Sequence, residues 1–130
     1  MTEFALAWAC SAVVFFAADL VWLAVVAKSF YRDRIGHLMA DRFRGGPAVA
    51  FYVVYIAGIV WFAVGGADRW QDAALDGALL GFFCYGTYNL TNFATLRGWP
   101  LSLVLVDMTW GTALTGATAT AGFWMKTLIG

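Results

Sequence analysis

Apolar residues run along this chain in four long stretches, at residues 4–27, 47–64, 73–96 and 101–124, separated by short polar segments. Together these stretches hold 90 residues and only three charged side chains, Asp19, Asp76 and Asp107; the other 40 residues hold 13 charges. A helix that crosses a bilayer needs about 20 mostly apolar residues. The pattern predicts one transmembrane domain over residues 1–130, an all-α integral membrane four-helix bundle with no room for a second domain.

The boundaries carry local signals. Pro47 and Pro100 open the second and fourth helices, where the missing N–H costs nothing. Gly45-Gly46 and Gly65-Gly66 break the chain on either side of the second helix. Asp68, Asp72 and Asp76 gather at the start of the third helix, where negative charge complements the dipole, so Asp76 is read as a boundary residue. Gly77, Gly81, Gly111 and Gly116 predict close approach of helices three and four. In loop 1, residues 28–46, Ile35, Leu38, Met39 and Phe43 recur at helical spacing among Arg32, Arg34, Arg42 and Arg44. That predicts a short amphipathic interfacial segment with its arginines toward anionic lipid headgroups.

Charge placement adds an orientation. Lys28, Arg32, Arg34, Arg42, Arg44 and Arg97 fall on one side, Arg69 and Lys126 on the other. The positive-inside rule then expects loops 1 and 3 in the cytoplasm and both termini in the periplasm. Trp8, Trp61, Trp70 and Trp124 near the outward helix ends, and Trp99 at the inner end, are expected as interfacial anchors. The N-terminus lacks a basic residue before its apolar run and is not expected to be a cleaved signal.

Composition narrows the chemistry. The chain is 62% hydrophobic and 12% charged, half the usual charge of a soluble domain. Zero formal net charge gives no footprint for nucleic acid. The single histidine, His37, lies outside the spans, which argues against a His-ligated haem or a histidine-box metal centre, and no cofactor or metal is expected. Cys10 and Cys84 fall at different depths and are read as small buried hydrophobes.

Polar groups inside a bilayer are costly and point to function. Asp19 lies eight residues before the end of helix 1, about 12 Å deep, and Asp107 six residues into helix 4, about 9 Å deep. Asn89 and Asn92 near the end of helix 3, and Tyr52 and Tyr55 in helix 2, fall at about 6–12 Å. All four helices thus contribute to one polar layer in the cytoplasmic half. Tyr85, Tyr88, Asn89 and Asn92 share a face of helix 3, and Trp22 and Trp110 each follow an aspartate by three residues. Two carboxyls that met there would share a proton and titrate as a pair. Against a functional site stands structural glue, since buried Asn, Tyr and Trp bond helices together for roughly 1 kcal/mol each. Asp19-Leu-Val-Trp22 and Asn89-Leu-Thr-Asn92, 70 residues apart, hint at a duplicated helical hairpin.

Several runs resemble a known family. They are Asp19-Leu-Val-Trp22-Leu23, Phe30-Tyr31-Arg32, Phe51-Tyr52-Val-Val-Tyr55, the stretch from Tyr88-Asn89 through Arg97-Gly-Trp99-Pro100, and Val106-Asp107-Met-Thr-Trp110-Gly111. They are similar to small predicted bacterial membrane proteins known only as a domain of unknown function. The resemblance covers nearly the whole chain and implies four helices in a bacterial inner membrane, with no established activity or cofactor. The family commonly has aspartate where this chain has Asn89, which weakens a catalytic role for helix 3.

Three functions stay open. One is a small transporter or binding protein whose layer (Asp19, Trp22, Tyr52, Tyr55, Tyr88, Asn89, Asn92, Asp107, Trp110) binds a proton, a small cation or a lipid headgroup. Another is an accessory subunit of a larger membrane complex. The third, ranked last, is a lipid-modifying enzyme with Asp19 and Asp107 as acid and base and Tyr88 as donor. Expected partners are membrane lipids and either a second copy or a larger complex, with no nucleic acid.

Overall fold

The computed structural model describes residues 2–129, and these fold into four helical rods. The first rod is α1 (Thr2–Trp22), a π-type turn (Leu23–Ala27) and α2 (Lys28–Ile35), ending in a 3-10 turn (Gly36–Leu38). The second is α3 (Gly45–Ile59), closed by another π-type turn (Val60–Val64). The third and fourth are α4 (Trp70–Thr95) and α5 (Leu101–Ile129). α5 is the central rod, packed most extensively on α4 and next on α1.

The rods are apolar outside as well as inside. Val13, Leu20 and Val25 of the first rod, Val54 and Phe62 of the second, Phe83 of α4 and Leu105 of α5 are all exposed. A water-soluble bundle turns such positions inward, and contiguous apolar surface on every rod suits lipid contact. Two helical runs are long and apolar enough to cross a membrane, Thr2–Leu38 and Gly45–Val64, with mean hydropathies of 2.2 and 2.1. Threonine hydroxyls are kept from the apolar surroundings by bonding back one turn: Thr87, Thr95, Thr109, Thr112, Thr120 and Thr127 each donate to the carbonyl four residues earlier.

Loop 1 differs from its sequence reading. Helix does not stop at residue 27 but continues through the π-type turn to Ile35, while residues 39–44 are non-helical. Met39 and Phe43 therefore do not extend a helical stripe with Ile35. The amphipathic segment is the end of the first rod. Arg34 differs too, because its guanidinium lies 3.6 Å over the Phe30 ring and its Nε donates to Ser102 Oγ at 2.8 Å. It clips α2 to the start of α5, whereas Arg32, Arg42 and Arg44 are exposed.

The two ends of the bundle are built differently. The far end carries residues 65–69 and the starts or ends of the terminal helices; the near end carries residues 36–44 and 96–100. At the far end small residues bring backbones together. A Cβ on Gly77 would sit 2.6 Å from Ala119 Cβ, and one on Gly81 would strike the Gly111 carbonyl. Lys126 closes this end by donating from Nζ to the carbonyls of Val64, Gly65 and Ala67 at 3.1, 3.4 and 3.2 Å. They lie at and just past a helix C-terminus, where carbonyls are under-used (Val64 also accepts from the Ala67 N–H) and positive charge suits the dipole.

Candidate functional site

The near half of the bundle is held by large side chains. Asp107, on α5, is 8% exposed. Its two carboxyl oxygens accept from Tyr31 Oη at 2.5 Å and from Asn89 Nδ2 at 2.7 Å. Asp19, on α1, accepts from Tyr52 Oη at 2.5 Å and from Trp110 Nε1 at 3.3 Å. Trp110 stacks on Trp22 with ring centroids 4.3 Å apart and planes 6° from parallel. Trp22 Nε1 donates to Tyr31 Oη at 3.3 Å, which completes a path from one carboxyl to the other. Side chains from all four rods thus join one network.

Among the described residues the two carboxyls make no hydrogen bond to each other. They are two separate carboxyls bridged by a tryptophan pair, so the condition for a shared proton is not met. Each has its own tyrosine, and every donor that reaches them is neutral. The single salt bridge among the described residues, Arg69 to Asp72 at 3.0 Å, lies elsewhere on the surface. There the guanidinium holds the Asp72 carboxyl below its ordinary range.

Asp19, Trp22, Tyr52, Asn89, Asp107 and Trp110 of the expected layer meet in this network. Tyr55 lies beside it, bonded to Thr115 at 2.8 Å rather than to a carboxyl. Tyr88 is 54% exposed and leans edge-on against Trp99. Asn92 is half-buried, and no side-chain hydrogen bond of it is seen among the described residues. Tyr31 is the residue that sequence reasoning missed. Nine residues past Trp22, it falls about two and a half turns on along an ideal α-helix, on the opposite face. The wider π-type turn at Leu23–Ala27 changes that phase, and such turns recur at functional sites. Its one sequence signal was the Phe30-Tyr31-Arg32 run.

A cavity of about 320 Å³ adjoins Asp107, walled by Phe51 of α3 and Cys84, Tyr85 and Tyr88 of α4. Phe51, Cys84 and Tyr88 are exposed and form its rim, which corrects the reading of Cys84 as buried. Asn89 is 0% exposed, and its Oδ1 has no hydrogen-bond partner among the described residues. The Tyr85 ring lies against Gly111, where a Cβ would collide with it.

The expected anchors divide. Trp61, Trp70 and Trp124 are exposed, as a membrane-interface role requires. Trp8 is half-buried, its Nε1 donating to the Val53 carbonyl at 3.4 Å. Trp99 is only 7% exposed and packs with Leu103, Val104, Phe30, Tyr31, Ile35 and Met108. The turn at Gly98, with φ of 78°, precedes this buried indole, which cannot face headgroups.

No curated protein and no solved structure matches this sequence. A family profile described as predicted membrane protein (DUF2177) matches residues 4–124. With nearly its whole length matched, the chain belongs to this family of predicted membrane proteins of unknown function.

Proposed function

We propose that this protein is a small multi-pass binding protein of a bacterial inner membrane, and that its polar site takes up a small cation at Asp107. The observation that carries the reading is a buried carboxyl that touches a cavity and has only neutral donors around it. A charge removed from water is costly unless an opposite charge joins it. No basic side chain of this network supplies that charge, and in this reading a ligand from outside does.

Four crossings fit this reading. α4 and α5, with 26 and 29 residues, reach about 39 and 43 Å, longer than the roughly 30 Å hydrocarbon layer. The excess of basic residues near loops 1 and 3 supports a cytoplasmic near end and periplasmic termini. Arg32, Arg42 and Arg44 are then free to meet anionic headgroups.

The test is a titration of the purified protein with Na⁺, K⁺ and choline, followed by tryptophan fluorescence. Trp22, one hydrogen bond from Tyr31, and Trp110, stacked on it and bonded to Asp19, report on this network. A saturable change in the wild type that disappears in Asp107→Asn is the expected result. An unchanged response in a folded Asp107→Asn variant contradicts a site at this carboxyl.

A further inference from the structure

The cavity beside Asp107 is poor in oxygen and rich in aromatic surface. Of its five lining residues, Phe51, Tyr85 and Tyr88 present rings and Cys84 a thiol, leaving Asp107 as its carboxylate. A hard, strongly hydrated cation demands six or more oxygen ligands in place of its water. This wall does not provide them. A substituted ammonium asks for the opposite: it is weakly hydrated, apolar on its outside, and attracted to the faces of aromatic rings. One carboxylate behind several rings is the combination that recognises it.

Two further observations agree. Acceptor capacity exceeds donors on this wall: its one carboxyl, that of Asp107, takes hydrogen bonds from only two neutral donors, Tyr31 Oη and Asn89 Nδ2. A positive ligand relieves that imbalance and a negative one worsens it. The volume, about 320 Å³, lies at the small end of ligand pockets, which run from about 300 to 1,000 Å³. We infer that the cavity between α3, α4 and α5 binds a small organic ammonium cation, with Asp107 as counter-charge and Phe51, Tyr85 and Tyr88 as the aromatic wall. This rests on the cation-binding reading above and narrows it to a chemical class.

Cys84 on the rim makes a local reporter. In a Cys10→Ala background in maltoside detergent, the rate of Cys84 alkylation by N-ethylmaleimide is measured with choline and with 3,3-dimethyl-1-butanol, its neutral isostere. Choline is expected to slow alkylation in a saturable way and the isostere is not. Apparent affinity falls about tenfold in Tyr88→Leu, is retained in Tyr88→Phe, and is lost in Asp107→Asn. Tyr88 is exposed, so the Leu and Phe variants keep the test valid if Asp107→Asn does not fold. Equal protection by the isostere overturns the inference, because the cavity then reads shape alone. Absence of choline protection also overturns it; if Na⁺ or K⁺ still changes the fluorescence through Asp107, the broader cation reading survives. With no response to any cation, both fall.

Discussion

The far and near halves of this bundle solve opposite packing problems with the same four rods. In the far half Gly77 and Gly81 of α4 lie against Gly111, Thr115 and Ala119 of α5, so backbones touch along this seam, and the open groove beside it, past Ala74, Ala78 and Gly116, has no carboxyl in its wall. In the near half Tyr31, Tyr52, Tyr85, Trp22 and Trp110 hold the rods apart. Tyr52 and Trp110 donate to Asp19 and Tyr31 donates to Asp107, and a cavity opens beside Asp107. Close packing suits a structural anchor in lipid, where small residues and dispersion do the holding. Large side chains with few partners suit a site. The difference fits the proposal that one half holds the fold and the other binds.

That division is exposed to mutation. The largest effect is expected at Gly81→Leu, where the side chain meets the Gly111 carbonyl and Thr115. A loss of about 3 kcal/mol, seen as a large drop in the thermal midpoint in detergent, follows from overpacking a site that cannot move. Removing the hydroxyl in Tyr31→Phe takes a donor from Asp107 and an acceptor from Trp22. About 1–2 kcal/mol and a changed tryptophan emission are expected. A cost as large as that of Gly81→Leu would mean that the network, not the small-residue seam, holds the fold. Lys126→Met removes the ammonium that three far-end carbonyls share, leaving Val64 with the Ala67 N–H. It is expected to cost about 1 kcal/mol and to leave cation binding unchanged. Altered binding in that variant would show the halves to be coupled.

The smallest effect belongs to Asp72. Its carboxyl is held low by Arg69, so its contribution is present above the ordinary carboxylate range and lost as pH falls through the lowered value. The pair is exposed and screened, so Asp72→Asn is expected to leave the acid limb of the unfolding curve almost superimposable on the wild type. A clear shift would overturn its placement as a surface pair.

Sequence reasoning reached the four rods because apolar stretches are local signals; Pro100 stands immediately before α5, but α3 begins at Gly45, so Gly45-Gly46 do not break the chain and Pro47 is the third residue of that helix. It reached six members of the network because depth along a helix can be counted from a boundary: Tyr52 bonds Asp19, and Asn89 bonds Asp107. It missed Tyr31 because a π-type turn shifts helical phase, and nothing in Leu23–Ala27 announces one. It placed Trp99 at the interface because position along a span says nothing of which way a residue folds after a turn such as Gly98. The cavity was beyond reach for a related reason. Phe51 and Cys84 look like ordinary lipid-facing residues until α3 and α4 are set side by side.

The two carboxyls offer the sharpest contrast, because Asp107 lines the cavity and Asp19 does not. An infrared difference spectrum between cation-bound and cation-free protein reads the carboxyl that responds. A carboxyl band is predicted for the wild type and for Asp19→Asn, and its disappearance for Asp107→Asn. A band that persists in a folded Asp107→Asn protein, or vanishes with Asp19→Asn instead, would contradict a cation site at Asp107.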